Sequence, residues 1–539
     1  MRTGLSSDLI KRVLGGRDAD CGEPKYTIAQ LEEKYPPRNL PDGAMVTRIA
    51  PSPTGFMHLG NFYQYLIGYK LAQQSNGVFY LRVEDTDTKR EVAGAVDVVL
   101  KTARAFNMAP NEGPEQGGAY GPYFQSERRD IYHSVVAELL ATGRAYPCFL
   151  TAPDMEKIRD EQKAAGWPTG IYGEWARDRN LGEEDIIAHL DAGEIPTIRL
   201  YSIGDKSQKI FCKDAVRGSI AFPQNDEDIV LIKSNDGLPT YHFAHLCDDH
   251  FMRTTLVQRG EEWLPSLPLH IQLFNMMEWT PPQYIHTSTL DTIDAETGNQ
   301  RKLSKRKDPQ ANMAFFLEQG WPTDAVLEYL TNIASSGYEE AKAKGQVKNV
   351  WEFQIKPKKI PMSPALFDMK KLEWWAREYI ATLTVPDLVE HVLNWAREYG
   401  SDWMGRIDGN EDYLHRILSI ERDNPKRVRK DFITWSQTLS ETSYFWDDIF
   451  ESSKLKVESV NINKEALSQF LETFDINDDQ NTWWNKITEI ATKTELKPGD
   501  VAMNLRVAVT GRSNAPDLYS VMQVMGDGRV RKRIGQIIN

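Results

Sequence analysis

MVTRIAPSPTGFMHLGN, residues 45–61, opens with an alternating apolar run (Met45, Val46, Ile49), passes through Pro51, Pro53 and Gly55, and leads at His58 into a long amphipathic stretch. That order predicts a strand, a rigid loop and a helix start. Prolines fix the loop's φ, and Gly60 just inside the helix leaves space for a flat ring or a phosphate. The helix N-terminus presents unpaired N–H groups and a positive dipole end, which favours an anion beside His58. By itself the segment says little, because Pro- and Gly-rich strand-loop-helix turns are common in α/β proteins.

A second stretch gives it company. RKLSKRK at 301–307 places five basic residues around Leu303 and Ser304, after the polar loop DTIDAETGNQ. Charge runs of this kind are ordinarily solvated faces or nucleic-acid patches. Together the two stretches resemble, in the required order, the paired His-X-Gly-His and Lys-Met-Ser-Lys-Ser signatures of class I aminoacyl-tRNA synthetases. Here they read His58-Leu59-Gly60-Asn61 and Lys302-Leu303-Ser304-Lys305-Arg306. APSPTG at 50–55, RVEDTD at 82–87, GPYFQSER at 121–128 and YHFAHLCDDH at 241–250 narrow the resemblance to the glutamyl-tRNA synthetases of bacterial or organellar type, from about Met45 to near the C-terminus.

Composition bounds the alternatives. A chain of 539 residues with 41% hydrophobic residues has room for several domains with ordinary cores. No apolar run is long enough to span a bilayer, so no membrane partner is expected. The first sixteen residues are basic and lack a secretory apolar block; an organellar leader ranks below a cytoplasmic extension. Cys21, Cys148, Cys212 and Cys247 are scattered, as in a reducing compartment. The net charge of -13 leaves a tRNA partner open, because contacts depend on where the cations sit.

The expected fold class is α/β: a Rossmann-like parallel-sheet catalytic domain split by an α+β insertion and followed by an all-α anticodon-binding region. The expected organisation is an N-terminal extension (1–44) and a first catalytic half (45–145), then an insertion binding the acceptor arm (146–225). A second catalytic half with the basic loop (226–310), a stem-contact helical region (311–380) and a helical anticodon-binding region (381–539) follow. TIAQLEEKY predicts a short helix ended by Pro36 and Pro37; VFYLRVEDTD reads as a strand ending in carboxylates; Val92–Met108 reads as a helix. Ser126, Arg128 and Arg129 mark a helix start whose arginines oppose the dipole, which an acidic neighbour such as RNA phosphate would offset. Short strands are expected around TIRL, IFCKD and SIAF, and the parallel fold resumes at DIVLIKS. The insertion keeps Cys148 but has Leu150 and Trp175 where other zinc ligands fall in some relatives, so no zinc or other protein-held metal is expected.

The resemblance implies the site residues. His58, Gly60, Lys302 and Lys305 fall at the catalytic positions. His58, Glu262, Trp263, Leu290, Lys302 and Lys305 match the ATP site, with Mg2+ carried mainly by ATP. Arg48, Ala50, Ser52, Glu84, Tyr241, His245 and Arg259 match the L-glutamate pocket, Glu84 meeting the substrate amine and the arginines its side-chain carboxylate. Asp87 and Arg90 fall near the tRNA acceptor end, and Arg427 and Arg429 match the anticodon side. The implied activity is that of a glutamate–tRNA ligase acting on tRNA(Glu), as a monomer; no spacing decides whether tRNA(Gln) is charged as well. A nicotinamide oxidoreductase would require a G-x-G-x-x-G after an early strand, which is not present. A nonenzymatic tRNA-binding descendant would be expected to lose the catalytic basic residues. A glutaminyl enzyme or a short tRNA-modifying paralogue is a nearer alternative, but APSPTG and the long helical C-terminal half favour the glutamyl branch.

Overall fold

The computed structural model describes residues 3–15, 24–53, 55–87, 92, 94–294, 296–304, 306–422, 428–452 and 462–539. Lys305, Arg90 and Arg427, and the helix start expected at Asn424-Pro425, lie outside them. The chain divides into two compact units, one of residues 1–314 and 330–367, the other of residues 315–329 and 368–539.

In the first unit, two helices, α1 (Ser7–Gly15) and α2 (Ile28–Lys34), precede strand β1 (Val46–Ile49). Helix α3 (Leu59–Gln74) leads to β2 (Val78–Leu81), which pairs in parallel with β1. Helices α4 (Ala95–Ala105) and α5 (Arg129–Ala141) then bring the chain to the antiparallel ladder β3 (Ala145–Cys148) and β4 (Thr197–Leu200), with α6 (Ala152–Ala164) and α7 (Glu183–Asp191) between these strands. Strands β5 (Lys209–Asp214) and β6 (Gly218–Pro223) make a separate hairpin. The next strand, β7 (Val230–Ile232), pairs antiparallel with β4, so DIVLIKS closes the insertion's sheet instead of resuming the parallel fold.

The parallel fold resumes after helix α8 (Tyr241–Phe251), with β8 (Leu256–Gly260), α9 (Leu267–Met276) and β9 (Gln283–Thr287); β8 and β9 pair in parallel. The two parallel pairs meet through the Thr255 N–H, which donates to the Val46 carbonyl at 2.9 Å. Gly68 on α3 faces β8 where a Cβ would lie 2.1 Å from the Gln258 side-chain amide, so the glycine leaves that amide its place between helix and strand. Then β10 (Leu290–Ile293) and β11 (Gln300–Lys302) form an antiparallel pair that carries the basic loop.

The N-terminal extension is packed in. Leu9, Ile10, Val13 and Leu14 of α1 are buried in the same core as α5, and Arg12 reaches Asp191 of α7 at 2.5 Å. Helix α2 carries a capping box at Thr27 and Gln30, which satisfies donors at both ends of that exchange. The second unit has its own core, including Leu388, Val392, Leu414, Ile487, Leu505 and Ile534, and among the described residues it contains no strand. Among the described residues no helix is long and apolar enough to cross a membrane.

Candidate active site

Strand ends and helix starts converge on a cavity of about 360 Å3. Its walls include Arg48 in β1, Ala50 and Ser52 after it, His58 and Gly60 at the start of α3, and Glu84 after β2. Tyr241 comes from α8, Arg259, Glu262 and Trp263 from the end of β8 and beyond, Leu290 from β10 and Lys302 from β11. Open parallel sheets place ligands at the carboxyl ends of their strands, and here these ends supply most of the wall.

His58 is the N-cap of α3: its Nδ1 accepts the Gly60 N–H at 3.0 Å, which puts the ring's proton on Nε2 in the neutral form. A Cβ on Gly60 would lie 3.2 Å from that Nδ1, so the glycine makes room first of all for the histidine's own ring. The segment after the basic loop is tied to this turn, since the Met313 N–H donates to the Met57 carbonyl at 3.0 Å.

The basic loop sorts its residues by face. Arg301 turns to Asp294 (2.7 Å) and Asp308 (2.6 Å), Leu303 is buried, and Lys302 is exposed on the cavity side. Ser304 N–H donates to Asp308 at 2.8 Å, which pins the loop's root. Part of the positive run is thus neutralised by neighbouring carboxylates, leaving Lys302 to the cavity.

Behind the cavity lies a buried lattice of charges. Arg48 meets Asp249 at 3.1 Å; Arg82 meets Asp249 at 3.0 Å and Glu84 at 3.2 Å; Arg128 meets Asp248 at 2.6 Å. Asp248 is therefore the acidic neighbour of Arg128, the N-cap of α5, while Arg129 donates to the Asp236 carbonyl at 2.9 Å. Burial opposes ionisation of Asp249, but Arg48 and Arg82 hold its carboxyl well below the usual range. Burial pushes Glu84 above the ordinary carboxyl range, against the pull of Arg82 and Arg48. A cationic partner in the cavity would draw it back towards the ionised form.

His245, expected in the amino-acid pocket, is fully buried behind that wall instead: Nδ1 lies 2.5 Å from Asp249 and Nε2 is 2.9 Å from the Tyr284 hydroxyl. Burial lowers it to about 4, so it is neutral near pH 7. Asp87 is exposed beyond β2 and does not line the cavity. Arg429 belongs to the second unit, in a separate polar pocket with Lys430, Tyr444 and Arg512.

Several wall residues had no signal in the sequence. Gln64 on α3, Gln258 on β8 and the Ser288–Thr289 turn between β9 and β10 all face the cavity. Gln64 donates to Thr287, and Gln258 to the Arg48 carbonyl. These are ordinary polar residues whose position is set by how α3, β8 and β9 pack and pair, and only that packing reveals them. Among the described residues no group of three or more His, Cys, Asp or Glu is arranged to hold a metal ion.

A family profile described as "tRNA synthetases class I (E and Q), catalytic domain" matches residues 44–374, and one described as "Anticodon binding domain" matches residues 387–538. The chain is 42% identical to a "Glutamate--tRNA ligase" of Acetivibrio thermocellus, the match covering 94% of this chain and 95% of that protein. It is 40% identical to one of Clostridium perfringens, covering 93% and 96%. The crystal structure of a glutamate-tRNA synthetase from Elizabethkingia anophelis superposes with a TM-score of 0.74 at 27% identity, covering 92% of this chain and 99% of that one.

Proposed function

Because the chain belongs to the glutamate–tRNA ligase family of class I tRNA synthetases, we propose that its cavity activates L-glutamate with ATP and passes the glutamyl group to the terminal ribose of tRNA(Glu). In the first step an oxygen of the substrate α-carboxylate attacks the α-phosphorus of ATP, the bond to the bridging oxygen breaks, and pyrophosphate leaves. Displacement at phosphorus depends on alignment and on neutralising charge rather than on a protein nucleophile. His58 Nε2–H, the N–H groups opening α3, and Lys302 with Lys305 stabilise the charge that moves onto pyrophosphate. Magnesium arrives with ATP and needs few protein ligands.

Arg48 and Arg259 take the substrate's side-chain carboxylate, and Glu84 its ammonium group. Trp263, whose ring centroid lies 4.3 Å from that of Tyr241, together with Leu290 flanks the nucleotide. In the second step a ribose hydroxyl attacks the acyl carbon and AMP leaves. The observation that supports this reading most is that His58, Lys302, Glu84, Arg48 and Arg259, scattered over 255 positions of sequence (48 to 302), line one cavity.

The test is ATP-dependent attachment of labelled glutamate to separately purified tRNA acceptors. Transfer to tRNA(Glu) is expected, and transfer to tRNA(Gln) as well would mark a broader acceptor range. Absence of transfer to either acceptor would refute the proposal.

A further inference from the structure

Arg259 is buried, 6% exposed, yet unlike Arg48, Arg82 and Arg128 it has no carboxylate at ion-pair distance among the described residues. Its donors meet neutral acceptors. Nε donates to His286 Nε2 at 2.9 Å and Nη1 to His270 Nδ1 at 3.2 Å, while Nη1 also lies 3.4 Å from the Tyr241 hydroxyl. The guanidinium carbon stands 5.1 Å from the centre of the Tyr284 ring. Nη2 is buried and has no hydrogen-bond partner among the described residues. A buried guanidinium normally recruits a carboxylate, because an uncompensated charge in a dry site is costly.

A guanidinium only donates, so it dictates the tautomers around it. His270, accepting at Nδ1, carries its proton on Nε2 and donates to His242 Nδ1 at 2.9 Å. His286, accepting at Nε2, carries its proton on Nδ1 and donates to Asp214 at 2.8 Å. Asp214 is held in turn by the backbone N–H groups of Val216 (2.9 Å), Arg217 (2.8 Å) and His286 (3.0 Å). Its charge is thus engaged one residue away from Arg259. Burial and the Arg259 charge keep both imidazoles unprotonated: His270 lies well below the ordinary histidine range, and His286 below it despite Asp214.

We infer that His270 and His286, the latter backed by Asp214, are positioning residues that set specificity by holding Arg259 through neutral acceptors alone and leaving its charge to the side-chain carboxylate of the substrate. This rests on the amino-acid role proposed above for the cavity. An amide oxygen can accept from a guanidinium as a carboxylate can, so geometry alone discriminates weakly between glutamate and glutamine. The uncompensated charge supplies the difference.

The test compares His270→Asn with His270→Asp, which are nearly isosteric, each offering an oxygen near the Nδ1 position, but which differ in charge. Glutamate and glutamine kinetics in aminoacylation, the KM for ATP, and thermal melting are measured for each. His270→Asn should keep the glutamate KM within about threefold of the parent, whereas His270→Asp should raise it about tenfold or more and narrow the preference over glutamine, with the ATP KM and kcat changing less. Equal glutamate KM values for the two variants would overturn the inference. Should the Asp variant fail to fold, His270→Phe decides. It keeps a ring but removes the acceptor, so a raised glutamate KM that Asn does not share supports the inference, and an unchanged one overturns it. Arg259→Gln separates the two levels. An unchanged glutamate KM there would refute the amino-acid role itself, and the inference with it. A raised KM beside indistinguishable Asn and Asp variants would refute only the histidine frame.

Discussion

His58 has a structural and a chemical task, divided between its two ring nitrogens. Nδ1 caps α3 through the Gly60 N–H at 3.0 Å, and the ring borders the cavity. The two tasks are separable by substitution, because asparagine is among the best N-caps but has no imidazole. His58→Ala should cost about 1 kcal/mol of stability through the lost cap, while His58→Asn should cost little. Both should lower the turnover of adenylate formation by about 10²–10³, the usual effect of removing one donor from a developing anion. Urea midpoints and aminoacylation rates on the same preparations check both halves. An active Asn variant would reduce His58 to a cap.

At the scale of elements, the β5–β6 hairpin has two unlike faces. Ile210 and Cys212 pack with Val257, Leu267 and Tyr284, and Asp214 reaches His286, while Lys209, Phe211 and Lys213 point outward, Phe211 being 69% exposed. A phenyl ring between two lysines on one strand face suits a nucleic-acid strand, the ring stacking a base and the cations meeting phosphates. The double variant Lys209→Ala/Lys213→Ala should weaken tRNA binding and flatten the dependence of log K on log salt by about two, with the glutamate and ATP KM values unchanged. Filter binding over a salt series reads the slope, and an unaltered slope would place the tRNA elsewhere. The hairpin also shows what was legible in advance. Its strands, the β1-loop-α3 turn and the basic loop were readable because alternation, proline, glycine and charge are local signals. The run at β7 reads as part of the parallel sheet because a short apolar run does not reveal its partner, and that partner is β4. His270 and His286 gave no signal as a pair, since they come from α9 and β9 and meet only at Arg259. The first sixteen residues read only as a basic extension because a single short segment does not show which core its Leu9, Ile10, Val13 and Leu14 join; that core is the one shared with α5.

Over the whole molecule, two units with separate cores make a single unfolding free energy ill-defined, and the histidine contribution to acid stability belongs to the first unit, which holds His242, His245, His250, His270 and His286. Burial lowers His242 and His245 to about 4, and His250, His270 and His286 also lie below their ordinary value. Between about pH 6.5 and 4 the unfolded chain therefore binds protons that the folded unit refuses, so stability is complete above the unfolded histidine range and falls as the pH drops. Each such histidine steepens the loss by up to about 1.4 kcal/mol per pH unit. Below about pH 4 the paired carboxylate of Asp249, held far down by Arg48 and Arg82, extends the decline in the same direction. In calorimetry of the intact chain, the transition raised by ATP plus glutamate identifies this unit, since ligands stabilise only the fold that binds them. Its Tm should fall steadily from pH 7 to pH 5, with net uptake of about two or more protons on unfolding at pH 5, read from buffers of different ionisation enthalpy. His245→Gln, which gives the unfolded chain one fewer site, should reduce that uptake by about one proton. Uptake that stays below one proton in the parent would mean that the buried imidazoles are already charged in the fold, and the neutral frame around Arg259 would fall with them.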